Sequence, residues 1–158
     1  MPFRLLQALA VLSTALALVP AGAHLFELPN KAGLPRDPYF AVQALYRGWA
    51  LFGFVWIGAM AANLGLAAAF WRRRRRGPAR LALAAGLLVA LSLAVFFAWT
   101  YPANLATENW TRAPPDWEAL RSQWEWSHAA NAGLVFLALC SVVLSVLEEG
   151  GRGSDGAS

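Results

Sequence analysis

The chain has 158 residues, of which 58% are hydrophobic and only 14% are charged, and its formal net charge is +4. The apolar residues come in long blocks, a composition that is typical of membrane proteins and excludes a soluble globular domain. The positive charge is concentrated in an arginine run between two apolar blocks. Such a run is typical of an anchor against anionic lipid and argues against a nucleic-acid partner.

Four apolar blocks are long enough to cross a bilayer, which takes about 20 residues per helix. They cover Phe3 to Leu28, Trp49 to Trp71, Leu81 to Tyr101 and His128 to Leu147. The sequence therefore predicts an all-α fold in which residues 1–147 form a single transmembrane four-helix bundle. Residues 148–158 are rich in glycine and serine, which predicts a disordered tail.

The first block has two interpretations. Arg4, the apolar run 5–19 and the triplet Ala21-Gly22-Ala23 fit a secretory signal peptide, whose cleavage would make His24 the N-terminus of the mature chain. Against this, apolar character continues through Leu28, which gives a span long enough to remain as a helix. The longer span favours retention of the segment.

Arginine placement predicts the orientation, because short loops that carry Lys and Arg stay in the cytoplasm. The run from Arg72 to Arg76 and Arg80 lie between the second and third blocks, and Arg4 precedes the first. This predicts cytoplasmic termini, in what we expect to be a bacterial inner membrane, with the lipid bilayer as a partner. The two longer connections then face outward.

The two outward connections are rich in aromatic and polar residues. Prolines break the helices there, and Asp37 and Asp116 are positioned to begin short interfacial helices. Each helix carries an aromatic, a polar and an aromatic residue at the same four-then-three spacing, which puts each set on one helical face. The sets are Tyr39, Gln43 and Tyr46, and Trp117, Arg121 and Trp124. This weak repeat predicts an aromatic belt that also covers the bundle end.

Both histidines lie three residues from a glutamate, at the outward ends of the first and last spans. His24 and Glu27, and likewise Glu125 and His128, can converge on one point of a helix. If those spans are neighbours, the two pairs meet near the outer surface. Further polar residues fall at the same depth, namely Asn30, Gln43, Tyr46, Arg47, Asn104, Asn109, Arg121 and Asn131. Because polar groups at membrane depth tend to face a cavity, this clustering predicts an outward-facing polar pocket.

Three interpretations of this cluster remain open. In the first, the charged residues form a structural network, since buried charges must be paired. In the second, His24, Glu27, Glu125 and His128 hold iron or manganese, because Glu-x-x-His is the spacing of carboxylate-bridged helix bundles; copper at a cleaved N-terminal His24, with His128 as a further ligand, is a variant. In the third, His128 is a general base in the outward-facing pocket, tuned by Glu125 or Arg121, that acts on a small hydrophobic aromatic molecule.

The single cysteine, Cys140, lies inside the fourth block. One cysteine cannot form a disulfide, a C-x-x-C redox pair or a thiolate metal site within one chain. This argues against a thiol-disulfide oxidoreductase and favours a packing role.

Short motifs along essentially the whole chain carry a resemblance to a known family. They are HLFELPNK, YRGW, Pro102-x-Asn104, the Trp117 to Trp124 series and His128-x-x-Asn131. In these motifs the chain resembles a domain-of-unknown-function family of small four-span membrane proteins that takes its name from the fungal anthrone oxygenases. The Glu125-x-x-His128 pair, His24 and the ENWTRAPPDWE loop depart from the anthrone enzymes.

The resemblance implies a cofactor-independent oxygenase that converts an anthrone to an anthraquinone. His128 would be the base, and Asn104 or Asn131 would hold the enolate oxygen. The expected substrate-binding residues are Gln43, Tyr46, Trp49 and Trp124. The leading expectation is thus an oxygenase-like or oxidoreductase-like enzyme acting on a hydrophobic aromatic or quinone-like molecule. The alternatives are a non-enzymatic binding or accessory membrane protein, and a metal-binding protein with two histidine and two glutamate ligands.

Overall fold

The structure is a computed structural model that describes residues 2–154, with side chains described through residue 150. Within this range every regular element is a helix. The α-helices are α1 (Phe3–Lys31), α2 (Arg36–Gln43), α3 (Gly53–Arg72), α4 (Arg76–Val95), α5 (Tyr101–Ala106) and α6 (Trp117–Ser154). Two 3₁₀ turns, Ala44–Tyr46 and Trp49–Phe52, connect α2 to α3, and a π turn, Phe96–Thr100, connects α4 to α5.

Four helical segments are long and apolar enough to cross a membrane, and the chain is therefore an integral membrane protein. They are Phe3–Lys31, Trp49–Arg72, Arg76–Ala106 and Trp117–Gly150. The predicted all-α four-helix bundle is confirmed.

Several helix boundaries differ from the prediction. The third span runs on past Tyr101, and the fourth begins at Trp117 instead of His128. The apolar blocks mark the stretch suited to lipid, whereas backbone hydrogen bonding carries a helix beyond it into polar sequence. For the same reason α6 continues to Ser154, so the predicted disordered tail is helical over residues 148–154. Residues 155–158 of that tail lie outside the described residues.

The helices form a closed ring of neighbours. Helix α1 packs against α3 and α6, and α4 packs against the same two helices. The first and last spans are therefore adjacent. This adjacency is the condition under which the two His–Glu pairs were expected to meet. Connections alternate between the two ends of the bundle, and the turn between α3 and α4 occupies only residues 73–75.

Small residues let the helices approach closely in the bundle interior. Alanines are fully or nearly fully buried on all the spanning helices, and they surround a few larger side chains that are fully buried, including Leu66, Phe70 and Val142. Close packing of small residues is the main attraction between helices in lipid, because burying apolar surface gains nothing there. Gly86 makes one such close contact between α4 and α3, since a Cβ placed on it would lie 2.7 Å from Leu64 Cδ2.

A π turn interrupts the third span just before Pro102. Proline has no N–H to donate to the preceding turn, so the helix widens there instead of ending. Side chains of α6 bond to this turn: Gln123 Nε2 donates to Trp99 O at 2.8 Å, and the hydroxyls of Thr100 and Ser127 lie 2.7 Å apart. Pro102, which the sequence predicted to be a helix breaker, thus reshapes the span and ties it to α6.

Residues 32–52 and 101–116 cover one end of the bundle, which we call the capped end. Glu108, Asn109 and Trp110 all have positive φ angles, of 52°, 56° and 64°. This conformation is costly for residues other than glycine, so the surrounding contacts must hold it. Its result is that the Trp110 side chain turns inward, where it is only 6% exposed and packs against Tyr39.

Replacing Gly86 with leucine is expected to lower the free energy of unfolding by about 1–3 kcal/mol, because overpacking forces α3 and α4 apart. Gly65→Leu is the matched control, since Gly65 has no atom within 4 Å of the added Cβ. Thermal denaturation in detergent measures both variants. Equal stability of the two would contradict this account of the α3–α4 contact.

Candidate functional site

A buried lysine forms the centre of the capped end. The Lys31 side chain lies in the last turn of α1 and is 4% exposed. Its Nζ lies 3.3 Å from Glu27 Oε2 and 3.3 Å from Glu125 Oε1, and it donates a hydrogen bond of 3.1 Å to Tyr46 Oη. An ammonium has three N–H donors, so each has an acceptor. Lys31 thereby connects α1, α6 and the turn after α2.

The sequence analysis did not select Lys31. A single lysine at the end of an apolar span is usually a topology or headgroup residue. The only local signal is its position four residues after Glu27 and seven after His24, which puts all three on one face of α1. Only tertiary contact with Glu125, on the last helix, distinguishes it from an ordinary surface lysine.

Two tyrosine hydroxyls extend the network. Tyr39 Oη donates to Glu125 Oε1 at 2.9 Å and accepts from Gln43 Nε2 at 2.6 Å, and Tyr46 Oη donates to Glu27 Oε2. Burial raises the pKa of both tyrosines well above the usual value, and the neighbouring carboxylates raise the pKa further. The hydroxyls therefore stay protonated, as donors to the carboxylates.

The two histidines meet ring to ring beside this network. The ring centroids of His24 and His128 lie 4.2 Å apart, and Trp124 packs against both rings at 4.9 and 4.1 Å. Tyr46 and Trp49 contact His24 at 4.5 and 5.4 Å. We call these five residues the histidine box.

The histidine box contains an unused polar atom. His24 is only 5% exposed, and its Nδ1 is buried without a hydrogen-bond partner. His128, by contrast, is half-buried as a residue. Glu125 Oε2 in the adjoining network is likewise buried without a partner. Buried polar groups are nearly always satisfied, so these two atoms mark where another molecule could bind.

Three residues predicted to be catalytic lie outside the box and bond to other protein groups. Asn104 Oδ1 accepts from Trp110 Nε1 at 3.1 Å and from Trp124 Nε1 at 2.9 Å. Asn131 Oδ1 accepts from Ser92 Oγ at 3.1 Å. Arg121 donates to Leu34 O at 2.7 Å, and its guanidinium lies 4.8 Å from the ring centroid of Trp117.

The structure therefore divides the predicted site. The residues that it brings together are His24, Glu27, Gln43, Tyr46, Trp49, Trp124, Glu125 and His128. Asn104 is joined to them through the Trp124 indole, and Arg121 lies 5.5 Å from the ring centroid of Tyr39. Asn30, Arg47 and Asn109 are exposed, so they take no part in a buried cluster.

The predicted metal ligands do not form a coordination site. Among the residues that the structure describes, no three His, Cys, Asp or Glu side chains converge as metal ligands. Lys31 Nζ lies 3.3 Å from a carboxylate oxygen of Glu27 and 3.3 Å from one of Glu125. The lysine ammonium therefore occupies the position between the two carboxylates where a metal cation would bind. The carboxylates of the predicted iron or manganese site are thus already paired.

No family model, curated protein or solved structure matches this chain.

Replacing Lys31 with methionine is expected to lower the free energy of unfolding by about 3–5 kcal/mol, because the buried Glu125 carboxylate and the partly exposed Glu27 carboxylate then lose their shared cation. Arg36→Met is the matched control, since Arg36 pairs with Asp37 at the surface and its loss costs less than about 1 kcal/mol. Chemical denaturation in detergent measures both. The double variant Lys31→Met, Glu125→Gln should recover part of the loss, and a Lys31→Met protein as stable as Arg36→Met would contradict the role of the ammonium.

Tyr39 predicts a pH dependence of stability. In the unfolded chain Tyr39 ionises near pH 10, whereas in the folded chain its raised pKa keeps it protonated. The stabilising contribution is therefore complete below pH 10 and is lost as the pH rises, by up to about 1.4 kcal/mol per pH unit. Tyr39→Phe should reduce the decline in unfolding free energy between pH 10 and 12, and Tyr101→Phe, at an exposed tyrosine, should retain it. Equal slopes for the two variants would contradict the prediction.

Proposed function

We propose that this protein is a membrane enzyme that oxidises a hydrophobic aromatic molecule with molecular oxygen, using His128 as general base and no cofactor. The observation that carries the proposal is the histidine box. It combines a half-buried imidazole, a buried imidazole with an unpartnered nitrogen, and three aromatic side chains at the end of an apolar bundle. Aromatic surfaces hold a flat hydrophobic substrate, and an imidazole is the usual side chain for removing its proton.

The reaction balances without a further reactant. For an anthrone-type substrate, His128 removes a proton from the CH₂ group between two aromatic rings. The resulting enolate transfers electrons to O₂ and a C–O bond forms, and the peroxide takes back the proton held by His128. The hydroperoxide then loses its remaining C–H proton as its O–O bond breaks, which leaves a carbonyl group and one water. One O₂ is consumed and one water released for each quinone formed.

Neighbouring groups have supporting roles in this proposal. Trp124, Trp49 and Tyr46 pack against the histidines and would hold the substrate rings beside His128. Asn104 Oδ1 is occupied by two indole N–H groups, which leaves its Nδ2 as the donor for an enolate oxygen. Arginines concentrated at the opposite end of the bundle support an orientation in which the capped end faces outward.

The second candidate is a non-enzymatic binding or accessory protein in which the polar cluster is structural. The complete pairing of Lys31 favours it, because a buried cation with three acceptors is held in place and is not free to react. In that case His128 is part of the packing, and its removal should weaken the fold.

His128→Ala distinguishes the two candidates. As a general base His128 should contribute about 10²–10⁴-fold to the rate, so the variant should lose that much anthrone-dependent oxygen consumption in nanodiscs, with a melting temperature close to that of the wild type. Ala130→Ser, at an exposed position on the same helix, is the control and should keep the oxygen consumption and the melting temperature of the wild type. A large fall in melting temperature, or unchanged oxygen consumption, would contradict the catalytic role of His128.

A further inference from the structure

Tyr39 lies in the aromatic cluster of the capped end, and the proposed reaction does not use it. Its side chain is fully buried, and its ring centroid lies 5.2 Å from that of Trp110 and 6.2 Å from that of Trp117. Its hydroxyl has two partners, the Glu125 carboxylate and the Gln43 amide. A phenol that packs against indole rings and bonds to a carboxylate combines an electron donor with a proton acceptor.

Glu125 is positioned to accept the phenol proton. Tyr39 Oη donates to Glu125 Oε1 at 2.9 Å, which is within reach of direct proton transfer. Removing one electron from a phenol makes its O–H group strongly acidic, so the proton leaves for a base to which it is already bonded. Glu125 Oε2 is buried without a hydrogen-bond partner, and accepting a proton removes a charge that is incompletely satisfied. Gln43 Nε2 donates to Tyr39 Oη at 2.6 Å and then stabilises the phenoxyl oxygen.

Indole rings connect Tyr39 to the histidine box. Trp124 packs against His128 with ring centroids 4.1 Å apart. The ring centroids of Trp124 and Trp110 are separated by 5.9 Å, and those of Trp110 and Tyr39 by 5.2 Å. Electron transfer between aromatic rings is fast when the rings pack together, because electronic coupling falls steeply with distance. The three rings therefore form a continuous route for an electron from Tyr39 to the box.

Nearby cations favour Tyr39 as the electron donor over Tyr46, the other tyrosine that donates to a carboxylate. Lys31 Nζ lies 4.7 Å from the ring centroid of Tyr46 and 5.0 Å from that of Trp124, and it donates to Tyr46 Oη. A positive charge so close to a ring opposes the loss of an electron. The Arg121 guanidinium lies 5.5 Å from the Tyr39 centroid and opposes its oxidation less. An electron vacancy formed at Trp124 therefore moves away from Lys31 toward Tyr39.

We propose that Tyr39 is a redox-active tyrosine that supplies an electron to the histidine box and passes its phenol proton to Glu125. The inference rests on the proposed function only for the oxidant, an organic peroxyl radical that forms when the substrate radical loses its superoxide partner and combines with O₂. The peroxyl radical gains one electron through Trp124 and Trp110 and takes the proton held by His128, which gives a hydroperoxide. At Tyr39 the ring loses the electron, the O–H bond breaks, and the proton moves to Glu125 Oε1. This electron donation protects the imidazole and indole rings of the box from oxidation.

The first test forms the radical without any substrate. Full-length protein in nanodiscs is oxidised by tris(bipyridine)ruthenium(III), formed in a light flash with a cobalt(III) ammine as electron acceptor, and is frozen for electron paramagnetic resonance. Exposed Tyr101 provides the matched control among the three tyrosines of the chain. We expect a long-lived tyrosyl signal in the wild type, in Tyr101→Phe and in His128→Ala, and its loss in Tyr39→Phe.

The proton acceptor is tested in two ways. In Glu125→Gln, whose amide cannot take the proton, a tryptophan radical should replace the tyrosyl radical. Light-induced infrared difference spectra of the wild type need no variant, so they remain informative if Glu125→Gln does not fold. They should show a new carboxylic acid band that forms with the radical and shifts when glutamate is labelled with ¹³C.

The protective role is tested with a lipid-soluble azo initiator, which supplies organic peroxyl radicals inside the nanodisc membrane. Peptide mass spectrometry then measures the oxidation of Trp124 and His128. We expect both residues to be oxidised more in Tyr39→Phe and in Trp110→Phe than in the wild type, because the electron from Tyr39 no longer reaches the box. Tyr101→Phe should behave as the wild type does.

Three results would overturn the proposal. A wild type without a tyrosyl signal, or a signal that survives in Tyr39→Phe, would exclude Tyr39 as the donor. Radical formation in the wild type without a new carboxylic acid band would exclude Glu125 as the proton acceptor. Equal oxidation of Trp124 in all variants would exclude the protective role. Both oxidants are supplied and no substrate is present, so a protein that consumes no oxygen with an anthrone would contradict the proposed enzymatic function alone.

Discussion

The capped end of this protein depends on one buried ammonium. Lys31 lies between carboxylates from α1 and α6 and donates to Tyr46, so a single side chain connects three separate stretches of the chain. Coulombic attraction is strong where water is excluded, and so is the cost of an unpaired charge. The arrangement is therefore stable only when all its partners are present. The loops that carry those partners must fold over the bundle end.

Aromatic packing then completes the cover over these charges. Tyr39 is buried between the two connections, where it donates to Glu125 and packs against Trp110. Residues 108–110 have positive φ angles, and this conformation turns the Trp110 side chain inward. The strain of that loop is offset by the indole hydrogen bond to Asn104 and by ring contacts. The repeat of aromatic, polar and aromatic residues has a structural meaning here, since Tyr39 faces Trp117 and Tyr46 faces Trp124 across the two connections.

Some buried polar atoms at the capped end have no hydrogen-bond partner. In a lipid environment no bulk water is present to complete a hydrogen bond, so a buried polar atom without a partner is costly. His24 Nδ1 and Glu125 Oε2 are two such atoms at the capped end, one in the histidine box and one in the network around Lys31. Both adjoin aromatic or apolar surface. This combination underlies the proposal of an aromatic substrate whose proton is removed at the histidine box.

Long apolar blocks and His–Glu spacing are local properties, so the membrane class, the four helices and the residues around which a site could form were predictable from the sequence. The helix ends were not predictable from the sequence, because backbone hydrogen bonding continues past the apolar blocks. The role of Pro102 was not predictable either, because it depends on the hydrogen bond between α6 and the widened turn. The sequence also could not select Lys31 over Arg47 or Arg121 as the buried cation. Lys31 is the buried cation because it pairs with Glu125, which lies 94 positions later in the sequence. Only the packing of α1 against α6 brings these two side chains together.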